Sequence, residues 1–415
     1  MKRCHLQVLA SFTVFASAAA YSSEFYLHAG DTVVFLGDSI TEGGAYTTTV
    51  EDYVVTRFPE MRVRFVNSGV GRDTIRGGLA GSIDERLIRD VAPFHPNVVS
   101  MMFGMNDAHF HPYDQTGYDT YLAGYQTAMT TLRKLAPDTR ITVIRPSPYD
   151  DVTRPALWGS GYNDVLVRYG EGLSSIAKDS RAEVVDLNGP VVKDLRRLTE
   201  IDPENARRLI PDRIHPVAAG GLLFAKALLK AWYAKAVVSS VSIHVGSHPT
   251  WVSNDAQVRN LQSERGLSWE SLDRTLPMPL PDDDLTKFVV EHTDILESLS
   301  EQRLVVSGLP SQRYRLSIDN QVIAVFDADA LAQGINLAAY PTPMTAQAAD
   351  VHRLTLAHNA IRATRWRRVQ MLKTTEHSDQ LKSALDALDL AEDQVIALQL
   401  SAALPVWHRF ELAPL

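Results

Sequence analysis

Between Asp31 and Val237 the chain alternates short apolar runs with longer mixed stretches. Thr32-Val33-Val34-Phe35-Leu36 is the first run and Val63-Arg64-Phe65-Val66 the second. Asn97 to Phe103, Arg140 to Ile144 and Ala182 to Asp186 complete a set of five. The runs are rich in β-branched residues and lie roughly thirty residues or more apart, which predicts buried parallel strands joined by helical crossovers. Tyr46 to Phe58, Tyr118 to Leu135 and Asn163 to Asp179 are the candidate crossover helices. Ala218 to Ala236, rich in Ala, Leu and Lys, predicts a closing helix. The pattern is that of a three-layer α/β/α domain.

After Val237 the pattern changes. Residues 238–300 mix short polar and apolar pieces, punctuated by Leu276-Pro277-Met278-Pro279-Leu280-Pro281. Arg313 to Ile318 alternates strictly, Asp319-Asn320 suits a turn, and Val322 to Phe326 suits a returning strand. A helix is expected from Ala346 to Leu372. The resulting division is a leader at 1–20, an α/β domain at 21–237, a connecting segment at 238–300, and a C-terminal α+β extension at 301–415 with a β-hairpin and helix. There is no internal repeat and no low-complexity tract.

The leader is read from Lys2 and Arg3, the apolar stretch Leu6 to Phe15, and the small residues Ala16-Ser17-Ala18-Ala19-Ala20. These are the basic, apolar and cleavage regions of a signal peptide, and a short buried helix is the competing reading. Cleavage near Ala20 would remove Cys4, the only cysteine. A thiol-free mature chain suits an oxidising compartment, periplasmic or extracellular, and excludes thiolate catalysis. The net charge of −8, with no long basic run, argues against a nucleic-acid partner. No apolar run after the leader approaches bilayer length. Composition is silent on oligomeric state.

Four short motifs carry candidate chemistry, three of them directly after a predicted strand. Gly37-Asp38-Ser39-Ile40-Thr41 puts Ser39 where open α/β sheets bind ligands, although Gly-Asp-Ser is also a common turn. In Asn67-Ser68-Gly69-Val70-Gly71, the Gly71 N–H is a candidate oxyanion donor; a plain glycine-rich loop is the alternative. Gly104-Met105-Asn106-Asp107 offers the Asn106 amide as a second donor, and Asn-Asp also favours turns. In Asp212-Arg213-Ile214-His215 a carboxylate precedes a histidine by three residues. It can hold the imidazole through Nδ1, leaving Nε2 to take a proton from serine.

Each motif supplies a different part of one mechanism, and together they resemble the SGNH hydrolase superfamily, the GDSL-type esterases and lipases. Its signature residues fall on Ser39, Gly71, Asn106 and His215, with Ile40 as a conservative departure from the GDSL string. The resemblance spans residues 31–236. It implies a flavodoxin-like sheet of order 2-1-3-4-5, no metal or other cofactor, and acyl transfer by Ser39, His215 and Asp212. The oxyanion hole would be made by the Ser39 and Gly71 N–H groups and the Asn106 amide. The nucleophile-elbow hydrolases fit poorly, because Thr41 stands where their second glycine belongs. His109-Phe110-His111 lacks a helical metal-binding frame and suits a loop lining the site.

The implied function is an exported esterase cleaving short acyl esters, acetyl above all, on carbohydrates. A lipase or lysophospholipase is the second reading, and a non-catalytic polysaccharide-binding envelope protein the third. Tyr113, Tyr149, Trp158 and Tyr162 are expected in loops where aromatic faces can hold sugar rings, with ordinary packing as the alternative for each. Arg362, Arg365, Arg367 and Arg368 are expected on a solvated helix face.

Overall fold

Five strands form the parallel sheet that the apolar runs predict: β1 (Thr32–Gly37), β2 (Arg64–Gly69), β3 (Val98–Met102), β4 (Arg140–Ile144) and β5 (Glu183–Val185). Their order is β2-β1-β3-β4-β5, the expected flavodoxin-like arrangement. Val33 of β1, one strand in from the edge, pairs with Phe65 on one side and Val98 on the other. The computed structural model describes residues 24–263, 266–372 and 378–415. The leader expected at 1–20, with Cys4, lies outside the described residues.

Helices flank the sheet: Gln115–Leu135 and Gly161–Asp179 each bury one apolar stripe, whereas Ala45–Arg57 and Ala218–Ala231 are buried on nearly every side. α1 (Ala45–Arg57) packs with α5 (Ala218–Ala231), and α2 (Gln115–Leu135) packs with α3 (Gly161–Asp179). α4 (Asn188–Ile201) joins α5. α5 stops five residues short of the predicted Ala236, because Trp232 turns into the core and Tyr233 takes a left-handed backbone at φ 61°. The Trp232 ring stacks on Tyr26 at 5.4 Å, and its indole N–H donates to the Thr142 hydroxyl at 3.1 Å. That burial outweighs helix propensity at the next four positions.

The segment 238–300 is not a connector, which corrects the expectation. It carries β6 (Val237–His244), β7 (Thr250–Asn254), β8 (Ala256–Gln262) and β9 (Leu267–Asp273). Its remainder packs into the α/β core: Met278, Leu285, Phe288, Val289 and Leu299 lie in the same apolar cluster as Phe35 and Trp232. Lys226 of α5 ties it down, with Asp194 at 2.7 Å and Asp294 at 2.6 Å.

Downstream lie β10 (Glu301–Ser307), β11 (Arg313–Ile318), β12 (Gln321–Asp327), the short β13 (Ile335–Asn336) and β14 (His408–Pro414). They complete a four-stranded sheet, β13-β10-β6-β7, and a five-stranded sheet, β8-β9-β14-β11-β12. The predicted hairpin is β11–β12, turning through Asp319 and Asn320 at φ 50° and 66°, a turn conformation these short polar residues tolerate. α6 (Pro343–Ala363) begins at a Thr342 capping box and continues as a wide helical turn, Thr364–Gln370. α6 packs on α1 and on α7 (Ser378–Ala402), a helix the sequence pattern did not indicate.

Candidate active site

Ser39 opens a short helix, Ser39–Gly43, immediately after β1. Asp38 caps this helix by accepting from the Ile40 N–H at 2.9 Å, which aims the first turn across the carboxyl edge of the sheet. Ser39 stands at the first helical position, where an N–H has no intrahelical acceptor. Asp38 is buried, and burial pushes its carboxyl up to about 7.

His215 reaches this serine from the loop before α5. Its Nε2 lies 2.8 Å from Ser39 Oγ, and its Nδ1 lies 2.6 Å from Asp212 Oδ2. The other oxygen of Asp212 accepts from the backbone N–H groups of Ile214 and His215, at 3.0 and 2.8 Å. Burial works against the charge on Asp212, but these donors outweigh it and hold the carboxyl below its ordinary range. Asp212 therefore stays anionic and fixes the ring. The histidine and aspartate side chains are 44% and 53% exposed, so an approaching substrate meets an open site.

The Asp212–His215 turn is itself clamped. Arg213 takes a left-handed backbone at φ 72° and donates to the carbonyl of Pro155 at 2.9 Å and that of Asp150 at 3.2 Å. Arg154 pairs with the buried Asp150 at 2.8 Å and also holds the Pro211 carbonyl at 2.8 Å. No short motif marks Arg154, Asp150 or Arg213, since the contacts by which they hold the turn span more than fifty residues of chain.

The two remaining signature residues line the same edge. One Asn106 amide hydrogen is spent on the Asp73 carbonyl at 2.9 Å, leaving the second to point elsewhere. Gly104 takes φ 135°, and a Cβ there would stand 2.4 Å from Pro146, so only glycine lets the loop turn after β3. Among the described residues, the Gly71 N–H donates to no protein group. A Cβ on Gly71 would stand 2.8 Å from the Glu42 carboxylate, which accounts for the glycine. Ser39, His215, Asp212, Gly71 and Asn106, predicted from four separate motifs, thus all lie at the carboxyl edge of the sheet.

Beneath them lies a charged group that the sequence did not reveal. Arg86 is fully buried and binds Asp73, Asp90 and the Ser68 carbonyl. It gathers the chain after β2 under the site. Asp107 is buried too, accepts from the Ile75 N–H at 3.0 Å, and is pushed by burial to about 7.

Two expectations about side chains need correction. Tyr162 is not in a loop: it lies in the first turn of α3, fully buried, and donates to the Met105 carbonyl at 2.7 Å. Tyr149 is buried against it, and Trp158 meets it edge-on, so this aromatic group packs beneath the site; Tyr113 alone is exposed. The arginine group is not a solvated face either. Arg362 is buried against Glu392 and over the Phe94 ring, Arg365 pairs with Asp389, and Arg367 pairs with Glu42; Arg368 remains exposed. His109 lines a cleft beside the site, and among the described residues no cluster of His, Cys, Asp and Glu suits a metal ion.

Sheet order and loop placement are those of the three-layer α/β/α hydrolases. Residues 35–221 match the GDSL-like lipase/acylhydrolase family, and this domain is that of an SGNH hydrolase acting on ester bonds. It is similar to an acetylxylan esterase of Geobacillus stearothermophilus, 26% identical over 229 residues that span 48% of this chain and 93% of the relative. It is also similar, over nearly its whole length, to the solved structure of a gut microbial diltiazem-metabolizing enzyme. That match has 27% identity and a TM-score of 0.81, and covers 94% of this chain and 98% of the other. The second relative shares the part beyond residue 237 as well.

Proposed function

We propose that the chain is an exported serine esterase that removes short acyl groups, acetyl above all, from carbohydrate or other small polar alcohols. The observation that carries the mechanism is the relay Ser39 Oγ–His215 Nε2 at 2.8 Å and His215 Nδ1–Asp212 Oδ2 at 2.6 Å. In this mechanism His215 takes the Ser39 proton as Oγ attacks the ester carbonyl. The Ser39 and Gly71 N–H groups and the Asn106 amide receive the negative charge on the carbonyl oxygen. Protonated His215 then hands its proton to the departing alcohol, leaving an acyl-Ser39 ester. Water, deprotonated by His215, attacks that ester and regenerates Ser39 with release of the carboxylic acid.

The surroundings favour a short acyl group and a polar alcohol. A cleft of about 650 Å³ opens one residue beyond Asn106 and is lined by Thr74, Arg76, Ser82, Asp107, His109 and Asp114. These side chains offer hydrogen bonds to the hydroxyl groups of a polar alcohol. Lipase or lysophospholipase action is the second reading. The acetylxylan esterase relative supports the acetyl–carbohydrate choice, and the diltiazem-metabolizing relative supports small-molecule substrates. Export rests on the leader expected at 1–20. Among the described residues no helix is long and apolar enough to cross a membrane.

The test is a comparison of acetyl, butyryl and octanoyl esters of one chromogenic alcohol, with Ser39→Ala as control. The expected result is highest kcat/KM for acetyl and a loss on the order of 10⁵ or more in Ser39→Ala. A preference for octanoyl would move the assignment to lipase action. Undiminished Ser39→Ala would end the mechanism, and no turnover by the wild type would favour the binding-protein reading.

A further inference from the structure

The part of the chain beyond residue 237 reaches the site. The wide turn Thr364–Gln370 lies against the loop that bears Gly71 and the helix that bears Ser39. Trp366 is buried with Val70 and Ala80, and its indole N–H donates to Asp90 at 3.1 Å. Asp90 in turn is held by Arg86. The next residue, Arg367, donates to the Glu42 carbonyl at 3.0 Å and pairs with the Glu42 carboxylate at 3.1 Å.

Glu42 follows Ser39 by three residues on the same short helix. The Oε1 of its carboxylate meets Arg367, while Oε2 lies 2.8 Å from where a Cβ on Gly71 would be. An anion thus stands beside the N–H that the mechanism above assigns to the developing oxyanion. Uncountered, it would repel that charge as it forms, and only as it forms. A neutral ester in the ground state would feel it little.

We propose that Arg367 is a positioning residue for ester hydrolysis, neutralising the Glu42 carboxylate that stands beside Gly71. The proposal rests on the assignment of Gly71 to the oxyanion hole. It gives the C-terminal part of the chain a role in the reaction: Trp366 anchors the turn and Arg367 sets the charge beside the nucleophile helix. The pair is partly exposed, 39% for Arg367 and 26% for Glu42, so it adds little to fold stability and its effect on turnover can be read separately.

The experiment is a double-mutant cycle on the full chain, with turnover counted per serine titrated by a fluorophosphonate. Arg367→Met should lower kcat about tenfold with KM within about twofold, and Arg367→Lys should keep most of the activity. In a Glu42→Gln background the same Arg367→Met change should cost no more than about twofold, because the charge it counters is gone. A kcat unchanged in Arg367→Met, an equal loss in both backgrounds, or a loss that tracks the thermal midpoint would overturn the proposal. Ser39→Ala separates the two levels. Active Ser39→Ala defeats the underlying mechanism, whereas inactive Ser39→Ala with fully active Arg367→Met defeats only the role of Arg367.

Discussion

His358 of α6 meets Glu51 of α1 with its Nδ1 at 2.8 Å, joining residues 307 positions apart in one fully buried contact. Its Nε2 meets Glu392 of α7 at 3.2 Å. Burial alone would strip the proton from this ring, but the two carboxylates outweigh it and push His358 up to about 10. Glu392 is opposed by burial too, yet His358, Arg362 and Arg64 bring it down to about 2. Within the seam between the hydrolase domain and the rest, His358 is therefore protonated and Glu392 ionised at neutral pH. Removing the cation from such a buried cluster strands its anions. His358→Ala should destabilise the protein by about 3 kcal/mol or more, read as a fall in the urea midpoint. A midpoint within error of wild type would show that Gln399, which donates to Glu51 at 2.9 Å, and the arginines on Glu392 suffice to hold the two glutamates.

The same cluster sets a pH window. His358 is raised above its free value, so its contribution is complete below about pH 6.5 and is lost as pH climbs through about 10. Glu392 is depressed, so its contribution is complete above about pH 4.5 and is lost as pH falls towards about 2. The seam should hold best between those limits. Thermal midpoints from pH 5 to 10 should decline on the alkaline side in the wild type, and less steeply in a His358→Leu, Glu51→Leu, Glu392→Leu triple variant.

Asp107 adds a second alkaline slope. Raised by burial to about 7, it favours the fold fully below about pH 3.8 and loses that contribution as pH rises through about 7. Asp107→Asn keeps the acceptor for the Ile75 N–H and cannot ionise. The fall in thermal midpoint between pH 4 and 8 should therefore be shallower in Asp107→Asn than in wild type. Parallel curves would mean that Asp107 stays neutral, or stays charged, throughout.

Asn106 should act on turnover and not on affinity. Its amide is anchored to the Asp73 carbonyl, so the remaining N–H is fixed before substrate arrives. Asn106→Ala should lower kcat by about 10²–10³ with little change in KM, and Asn106→Asp should be at least as damaging. A destabilised but fully active Asn106→Ala would reduce the residue to a turn former.

A chain ending at Val237 should fail to give soluble, folded protein. Met278, Leu285, Phe288 and Val289 fill the same core as the sheet, and α6 covers α1. Soluble expression of residues 21–237 with a cooperative thermal transition would contradict this.

The parallel sheet, and the placement of Ser39, Gly71, Asn106, Asp212 and His215 at its edge, were legible because each is local: a β-branched run followed by a short motif or, for Asp212 and His215, a short motif before a helix. What stayed hidden depends on partners far away in the chain. β7 is largely exposed along its length, so it has no apolar alternation to read. β9 does alternate in burial, but two of its inward positions are Ser271 and Asp273, which masks the period. The arginines at the end of α6 and in the turn that follows looked solvated because their counter-charges, Glu392, Asp389 and Glu42, lie from about 25 to over 300 residues away. Trp232 shows the converse, a helix-favouring stretch ended by a core contact that no local rule contains.

β14 occupies the middle of the five-stranded sheet, yet it follows all four of its sheet-mates in sequence. A ribosome therefore delivers two separate hairpins, β8–β9 and β11–β12, each with a bare backbone edge, and β14 begins only at His408. Until that strand emerges, both edges are open templates for a neighbouring nascent chain. The hydrolase sheet carries no such burden, since its last strand ends at Val185. Chaperone dependence during synthesis should accordingly fall on the second half of the chain.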